Sequence, residues 1–422
     1  MNEYLSRIAD RILQQRLKSS GAVLIEGPRW CGKTRTGLEN SKSHLFMQDP
    51  DKYSSNLKAA DTKPSILLQG DTPRLIDEWQ TAPVLWDAVR FAVDQRCKPG
   101  QFILTGSAVP QDNVVQHTGT GRISRMMMRP MSLYESLESN GTVSLRELFD
   151  SKTDIESISS LTIDQIAYAI VRGGWPASIK KTEEIALRHS IDYVEAIINA
   201  DVSRVDGIEK NPTRVRALLK SLARNISTPA TVKTIRDDIA LGNDDSTLSD
   251  KTINQYLKAL DRIFVTENLA AWNPLLRSKT TIRTSPKRQF IDPSIATAVM
   301  RLTPSRLYDD FNYLGFLFES LCDRDLRIYA EANDGQVFHY RDASGLEADV
   351  VIVLNDGRWA AIEIKLGKKE IEDAAKHLLE LKAKVNTDKM KEPSFLMVLT
   401  GSEYAYQRED GVFVVPIGCL KD

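Results

Sequence analysis

A glycine-rich segment near the start of the chain has the residue types and the spacing needed to hold a phosphate group. It reads Gly27-Pro28-Arg29-Trp30-Cys31-Gly32-Lys33-Thr34, followed by Arg35, and matches the pattern GxxxxGK[ST]. The glycines let backbone N–H groups face the phosphates, Lys33 would reach the β- and γ-phosphates, and the Thr34 hydroxyl would bind Mg²⁺. A chance glycine-rich turn is the alternative. The apolar run AVLIE before the segment and the helical pattern after it favour a nucleotide site.

Two acids end a second apolar run, Leu75-Ile76-Asp77-Glu78. Asp77 suits a position that supports Mg²⁺, and Glu78 suits the base that orients an attacking water. Acid pairs at strand ends are common and are weak evidence alone. Combined with the phosphate-binding segment upstream, the pair indicates nucleotide hydrolysis, with Lys33 and Glu78 as catalytic residues.

Two further segments could contribute to the same site. Ile103-Leu104-Thr105-Gly106-Ser107 ends in hydroxyl residues, so Thr105 or Ser107 could lie near the γ-phosphate; a capped strand–helix turn explains the segment equally well. Gly119–Arg125 offers Arg122 and Arg125. Arg122 could supply transition-state charge to a neighbouring subunit's phosphate, or it could be an exposed, solvated arginine.

The elements that must position these residues alternate between strands and helices. Short apolar runs predict strands at Ala22–Glu26, Arg74–Asp77 and Gln101–Leu104, separated by helical patterns. Strands buried on both faces and separated by helices favour a parallel sheet. We therefore predict an α/β fold for residues 1–150.

The ordered set of motifs resembles a large prokaryotic family of AAA-type ATPases, whose members are usually described only as ATP-binding proteins. The matching segments are VLIEGPRWCGKT, PRLIDEWQ, FILTGSA, the GR of GRISR, PMSLYE, GGWPA and the stretch from Tyr193 to Asp201. The resemblance covers nearly the whole chain and implies ATP and Mg²⁺ as cofactors, ATP hydrolysis, and ring-like self-association. It implies no defined substrate. The Trp30-Cys31 pair departs from the pattern, at positions expected to face away from phosphate.

A second group of residues with possible catalytic chemistry lies near the end of the chain. Asp349 lies within the first strand of a predicted hairpin, Glu363 and Lys365 lie on one face of the returning strand, and Glu319 lies on an upstream helix. Carboxylate oxygens are ligands for Mg²⁺, and Lys365 could activate water for attack on a phosphodiester. The alternative is a hairpin with an exposed salt bridge.

This arrangement resembles the PD-(D/E)xK restriction-endonuclease-like fold, with Glu319, Asp349 and Glu363 as metal ligands and Lys365 as a catalytic residue. Domains of this kind can lose cleavage activity and persist as DNA-binding modules, so both states remain open. We predict that residues 306–422 form this domain. Helices are expected at Asn312–Asp325 and Glu370–Val385, and an intervening strand is expected at Arg327–Tyr329.

The middle region, residues 151–305, is predicted to be helical with a winged-helix part. Thr228–Ile239 and Ser249–Val265 have helix–turn–helix proportions, and Leu269–Gln289 could be a wing. Residues 201–290 hold 16 Lys and Arg against 10 Asp and Glu. This excess could neutralise DNA phosphates; alternatively the basic strip docks on an acidic neighbouring domain. The predicted DNA contacts are Arg277, Lys279, Arg283, Lys287 and Arg288.

Bulk properties set limits on these interpretations. The chain has 422 residues with a net charge of −1, 27% charged and 42% apolar residues, which is typical of a globular protein of two to three domains. No run suggests a membrane span, and the four scattered cysteines predict neither a zinc cluster nor disulfides, so a cytoplasmic location is expected.

The combined prediction is an oligomeric ATPase acting on duplex or branched DNA, with possible nuclease activity. The alternative is a regulatory ATP-binding switch with an inactive C-terminal module.

Overall fold

The computed structural model of the chain describes residues 4–106, 119–152, 154–202, 210–241, 248–274, 281–386 and 389–422. These residues divide into two compact units. The first unit comprises the described parts of Met1–Pro130, Asp201–Glu209 and Ala259–Val265, and the second comprises those of Met131–Ala200, Lys210–Lys258 and Thr266–Asp422. The division into three domains with boundaries at 150 and 305 remains a prediction.

The first unit is built on a five-stranded, all-parallel sheet. Its strands are β1 (Ala22–Glu26), β2 (Ser43–Phe46), β3 (Arg74–Asp77), β4 (Phe102–Thr105) and β5 (Ile123–Met127). They lie in the order β2-β3-β4-β1-β5. The expected parallel sheet is confirmed. The sequence patterns identified β1, β3 and β4 but missed the two edge strands, because these are only partly buried and lack a continuous apolar run.

Helices precede and connect these parallel strands and bury their apolar residues. They are α1 (Ile8–Ser19), α2 (Lys33–Glu39), α3 (Tyr53–Thr62) and α4 (Val84–Arg96). The core of the unit includes Trp79 and Trp86, whose ring centroids lie 4.9 Å apart, together with Leu24 and Phe102. This core fixes the strand ends on which the candidate site is built.

A seven-stranded mixed sheet forms the centre of the second unit. Its strand order is β7-β12-β13-β11-β10-β9-β8. The strands are β7 (Ser157–Ile158), β8 (Gly335–Arg341), β9 (Glu347–Leu354), β10 (Trp359–Lys365), β11 (Phe395–Thr400), β12 (Tyr404–Gln407) and β13 (Phe413–Pro416). Strands β8, β9 and β10 are antiparallel neighbours, whereas β10, β11 and β13 run parallel. A separate parallel pair joins β6 (Val143–Ser144) to β14 (Leu420–Lys421).

Helices precede and interrupt this sheet in the chain. They are α5 (Leu145–Phe149), α6 (Ile163–Arg172), α7 (Glu183–Ala196), α8 (Pro212–Arg224), α9 (Val232–Leu241), α10 (Asp250–Arg262), α11 (Ser294–Val299), α12 (Phe311–Glu331) and α13 (Ile371–Lys384). The strand expected at Arg327–Tyr329 is wrong, since α12 continues through it. The Asp323–Arg327 ion pair at helical spacing and the burial of Ile328 and Tyr329 extend the helix.

The middle region shows part of the predicted helix–turn–helix and wing. Helices α9 and α10 correspond to the two predicted helices, and the acidic turn between them lies outside the described residues. In the described parts of Leu269–Gln289 the backbone forms isolated bridges, Leu269 with Lys287 and Ala271 with His339, rather than regular strands. The winged-helix assignment therefore remains a prediction.

The GGWPA segment ends α6 and crosses close to another backbone segment of the second unit. A Cβ at Gly174 would lie 2.1 Å from the Met131 carbonyl oxygen, so only glycine fits there. The Gly174 N–H donates to Asp292 Oδ2 at 3.0 Å, and Trp175 Nε1 donates to Ser294 at 2.9 Å. No helix in the part of the chain that the structure describes is long and apolar enough to span a lipid bilayer.

Candidate functional site

The phosphate-binding segment leaves β1 at the carboxyl edge of the parallel sheet and leads into α2. Gly27 has φ +150°, and a Cβ there would lie 2.1 Å from the Met128 carbonyl oxygen. Gly32 has φ +104° immediately before Lys33, the first residue of α2. These left-handed and close-approach positions explain why the glycines of the motif are needed.

The Lys33 side chain folds back against the loop that would hold phosphate. Its side chain is buried, and Nζ donates to the carbonyl oxygens of Gly27 at 2.8 Å and Pro28 at 2.7 Å. The ammonium is therefore held at the centre of the loop. A nucleotide phosphate would exchange these neutral carbonyl partners for charged oxygens, which form stronger hydrogen bonds.

Asp77 joins three neighbouring segments at this edge of the sheet. Its Oδ1 accepts hydrogen bonds from Thr34 Oγ1 at 2.8 Å and from Thr105 Oγ1 at 2.5 Å. The strand register places Asp77 opposite Thr105, and Thr105 opposite Ile25. The structure thus brings together the residues expected from three separate motifs, and hydroxyl and carboxylate oxygens are suitable direct or water-mediated partners for Mg²⁺.

Glu78 follows Asp77 in a left-handed backbone conformation, with φ +55°. This turn directs the chain away from β3 at the point where the site begins. The carboxylate is half-buried and its Oε2 accepts a hydrogen bond from Gln80 Nε2 at 2.5 Å. Gln80 was missed by the sequence analysis; its spacing of two residues from Glu78 is the only sequence signal for it.

The other loop residues lie around this centre. Cys31 is fully buried and Trp30 is 48% exposed, so the two atypical residues of the loop have opposite environments. Arg29 Nη1 pairs with Asp201 at 2.6 Å, and Arg35 pairs with Glu39 at 2.6 Å. Ser107 lies outside the described residues.

Arg122 and Arg125 differ in their positions along β5. Arg122 directly precedes the strand, at the amino edge of the sheet, and pairs with Asp94 at 2.8 Å. Five strand residues span about 15 Å, so Arg122 is at the wrong edge to reach the phosphate loop of its own chain. Arg125 pairs with Glu26 at 3.2 Å; burial raises the pKa of Glu26, and the guanidinium opposes that shift.

Arg7 supports the phosphate loop from the start of α1 and was missed by the sequence analysis. Its Nη1 donates to the Cys31 carbonyl and its Nη2 to the Arg129 carbonyl, both at 2.8 Å. The side chain is buried. It therefore ties the loop to the segment that follows β5, and no motif in the sequence marks this role.

Replacing Arg7 with methionine is expected to raise the KM for ATP about 10-fold. The variant removes two charge-assisted hydrogen bonds, each contributing about 1.5 to 3 kcal/mol, and leaves the Cys31 carbonyl without this donor. ATP titration of steady-state hydrolysis measures the change. Arg11→Met, which changes an exposed arginine on the same helix, is the control. Equal KM values for both variants would show that Arg7 does not order the loop.

The second predicted site is also brought together, within the second unit. Glu319 of α12, Asp349 of β9 and Lys365 of β10 line a cleft with a volume of about 650 Å³, and Glu363 of β10 is buried beside Lys365. Lys365 Nζ lies 2.8 Å from Glu363 Oε2 and 3.6 Å from Asp349 Oδ2. The hairpin is real, but its acids are buried, so an exposed salt bridge does not describe it.

A fifth residue, Lys287, enters this cluster and corrects the prediction that it contacts DNA. Its Nζ lies 2.7 Å from Glu319 Oε1 and 3.0 Å from Asp349 Oδ1, and the side chain is 8% exposed. It is therefore not available as a surface phosphate contact. For Lys287, this geometry fits the other interpretation, in which the basic strip docks on an acidic neighbouring part of the protein.

Burial and charge act in opposite directions in this cluster. Burial raises the pKa of Glu319 to about 8, although Lys287 opposes the shift. Burial and the nearby Asp349 both raise the pKa of Glu363 well above its usual range. For Asp349, Lys287 and Lys365 outweigh burial and hold its pKa below the usual range. The stability of the ionised cluster thus depends on the two lysines.

The remaining residues of the predicted DNA strip have different environments. Arg283 is exposed, and its backbone N–H donates to the carbonyl of Arg341, which lines the cleft. Arg288 is half-buried and donates from Nε to the Ala230 carbonyl at 2.9 Å, so its guanidinium is partly committed to the fold. Arg277 and Lys279 lie outside the described residues.

Three known domain families match successive parts of the chain. Residues 19–137 match the AAA domain, residues 163–306 match a domain of unknown function, DUF8612, and residues 314–420 match a second domain of unknown function, DUF4143. Residues 19–137 are thus similar to the AAA domain, and the geometry at Lys33 and Asp77 supports nucleotide binding in this part of the chain.

Individual similar proteins come from mycobacteria and archaea. The uncharacterized proteins Mb2031c of Mycobacterium bovis and Rv2008c of Mycobacterium tuberculosis are each 24% identical over 359 residues, covering 84% of this chain and 72% of theirs. Among solved structures, the Walker-type ATPase PABY2304 of Pyrococcus abyssi aligns with 14% identity and a TM-score of 0.41, covering 70% of this chain and 96% of that one. The ORC2 protein of Aeropyrum pernix aligns with 12% identity and a TM-score of 0.32, covering 71% and 93%.

Proposed function

We propose that this protein is a Mg²⁺-dependent ATPase that assembles into an oligomer and acts on DNA. The observation that carries the ATPase part is the Asp77 carboxylate, held by Thr34 and Thr105 beside the Lys33 loop. In this proposal the Thr34 hydroxyl and Asp77 hold Mg²⁺, Lys33 holds phosphate, and Glu78 orients the attacking water. Mg²⁺ would neutralise negative charge that develops on the phosphate oxygens.

In the proposed oligomer, Arg122 would act on the nucleotide of a neighbouring copy. An arginine at the amino edge of the sheet can act on ATP only in a different copy of the chain, as an arginine supplied in trans. Sedimentation velocity with and without a non-hydrolysable ATP analogue tests the oligomer. A sedimentation coefficient that stays that of a single chain under both conditions would refute this part of the proposal.

The cleft of the second unit supports a DNA-binding role for the C-terminal region. Arg341 and Lys365 line it, and its rim includes Phe311 and Phe316, which are 67% and 40% exposed. Cations can neutralise phosphates, and exposed aromatic rings can stack on unpaired bases. Arg341 pairs with Glu347 at 3.5 Å, whereas Arg283, whose backbone N–H donates to the Arg341 carbonyl, has an exposed side chain and is the candidate phosphate contact.

Reversing the charge of Arg283 is expected to weaken DNA binding about 10-fold and to reduce the salt slope by about 1. The reason is that each cation contacting a phosphate releases about one counterion. Fluorescence anisotropy of Arg283→Glu with duplex and branched DNA at several salt concentrations measures both quantities. Arg306→Glu, at an exposed position in the same unit, is the control. No binding by the unmodified protein even at low salt would refute the DNA role.

A second candidate function is a regulatory ATP-dependent switch whose C-terminal cleft binds without cutting. The Lys287 ammonium between Glu319 and Asp349 favours it, because these acids would otherwise serve a metal-dependent nuclease. Among the described residues, no three His, Cys, Asp or Glu side chains are arranged to hold a metal ion together. The cluster in this form does not fit a metal-dependent nuclease. ATP hydrolysis rates with and without DNA separate the two candidates, since stimulation by DNA supports the first and indifference supports the switch.

A further inference from the structure

The carboxylate cluster of the second unit already contains a bound cation, the side chain of Lys287. Its ammonium contacts carboxylates from two different elements, Glu319 of α12 and Asp349 of β9. Asp349 uses its other oxygen to accept the Ile364 N–H at 2.9 Å. Both acids are therefore oriented toward one point, and the lysine nitrogen occupies it.

The backbone holds Lys287 firmly in this position. The Lys287 N–H donates to the Leu269 carbonyl at 2.9 Å, and the Leu269 N–H donates to the Lys287 carbonyl at 3.0 Å. The next residue, Arg288, donates its N–H to the Thr228 carbonyl at 2.8 Å. Lys287 thus enters the cluster from a segment fixed on both sides, separate in the chain from the strands that carry the acids.

The charges in the cluster disfavour a further cation while the Lys287 ammonium is present. The carboxylates of Glu319, Asp349 and Glu363 face the two ammonium groups of Lys287 and Lys365. One oxygen of the set is unused: Glu363 Oε1 has no hydrogen-bond partner among the described residues, and Glu363 is 1% exposed. This buried, unpaired oxygen indicates that the cluster can accept another ligand, but the Lys287 ammonium would repel a dication at close range.

We propose that Lys287 is the resident cation of this cluster and that its fixed ammonium keeps a divalent metal ion out of it. This inference concerns the nuclease-like site and rests on the proposed function of the C-terminal region. It predicts that the cluster binds no divalent metal ion while the Lys287 ammonium is present. Where the ammonium has been removed by mutation, the oxygens of Glu319 and Asp349 that contact it are available as ligands.

Metal binding to Lys287→Met tests this directly. Mn²⁺ alone is titrated into the full-length, nucleotide-free protein, and bound metal is counted by electron paramagnetic resonance. We expect Lys287→Met to bind one more Mn²⁺ than the unmodified protein, because the repelling charge is gone. The extra site should disappear in Lys287→Met/Asp349→Asn, which removes one of the two acids that contact the ammonium. Arg283→Met, which removes an exposed cation four residues away, should bind as the unmodified protein does.

Since Lys287→Met leaves two buried carboxylates without this partner, a second variant protects the test against misfolding. Lys287→Gln also removes the positive charge but keeps a neutral hydrogen-bond donor for one of those carboxylates, so it should bind extra Mn²⁺ as well. A single Mn²⁺ stoichiometry and affinity shared by the unmodified protein and both Lys287 variants would overturn the inference. If the extra site forms and the variants bind no DNA, the inference stands and the DNA function fails.

Discussion

Replacing Glu78 with glutamine is expected to lower kcat for ATP hydrolysis by at least about 100-fold while leaving ATP binding nearly unchanged. Glutamine keeps the size and one oxygen of the side chain but cannot accept a proton from water, and a positioned general base contributes about 10²- to 10⁴-fold. Glu78 follows Asp77 and bonds Gln80, whereas the Lys33 ammonium that would hold phosphate contacts the carbonyl oxygens of the loop. The KM for ATP should therefore change less than twofold.

Steady-state hydrolysis and equilibrium binding of a fluorescent ATP analogue measure the two quantities separately. Asp61→Asn is a matched control, since it makes the same chemical change to an exposed acid on α3. The assignment fails if Glu78→Gln retains more than half of the hydrolysis rate. It also fails if kcat falls only together with a loss of nucleotide binding, which would indicate that Glu78 maintains the fold of the loop.

Replacing Arg324 with methionine is expected to cost about 3 to 5 kcal/mol of stability in the second unit. Arg324 Nη1 donates to Asp292 at 2.9 Å, and Nε and Nη2 donate to Asp325 at 2.9 and 2.7 Å. All three side chains are at most 2% exposed. Removing the cation leaves two buried carboxylates without compensation, which is among the most costly single changes in a protein.

These carboxylates also hold two backbone segments, which enlarges the expected effect. Asp292 accepts the Gly174 N–H of the GGWPA segment, and Asp325 accepts the Leu133 N–H at 2.9 Å. Burial raises the pKa of Asp325 to about 6 even with Arg324 present. Without the guanidinium, protonation of this acid would be favoured further and its hydrogen bond to Leu133 weakened.

Urea denaturation followed by tryptophan fluorescence measures the loss of stability. Arg301→Met is the matched control, because Arg301 pairs with Glu195 at 2.8 Å but is 56% exposed, and such surface pairs contribute about 0 to 1 kcal/mol. Denaturation midpoints that shift equally in the two variants would show that the buried network is not what stabilises this part of the unit.

The residues that the sequence identified best are those fixed by short-range patterns. Lys33 and Thr34 follow a strand within one motif, and the strand ends at Asp77 and Thr105 meet because parallel strands share an edge. The Asp349, Glu363 and Lys365 set was found in the same way, from a hairpin of known period. Local rules of this kind hold because the backbone geometry of a single strand or turn determines them.

The residues that the sequence analysis missed or misassigned depend on contacts between distant segments. Arg7 reaches the carbonyl of Arg129, 122 residues away, and Lys287 reaches Asp349, 62 residues away. A lysine in a basic strip reads as a surface cation when its burial is unknown. The apolar residues of Arg327–Tyr329 fit a strand when only neighbouring residues are considered. The ion pair between Asp323 and Arg327, four residues apart, instead extends the helix.

The last residues of the chain have a consequence for how fragments should be cut. Strand β14 pairs with β6, Ser144 Oγ donates to the Asp422 carbonyl at 2.8 Å, and β7 completes the edge of the seven-stranded sheet beside β12. The two partners come from residues 143–158, well before the family match that begins at residue 314. A fragment starting at residue 314 would lose the edge strand β7. Its absence would expose the unpaired backbone of Tyr404–Gln407, which is a template for aggregation. A soluble fragment of this sheet requires the chain from residue 143 onward.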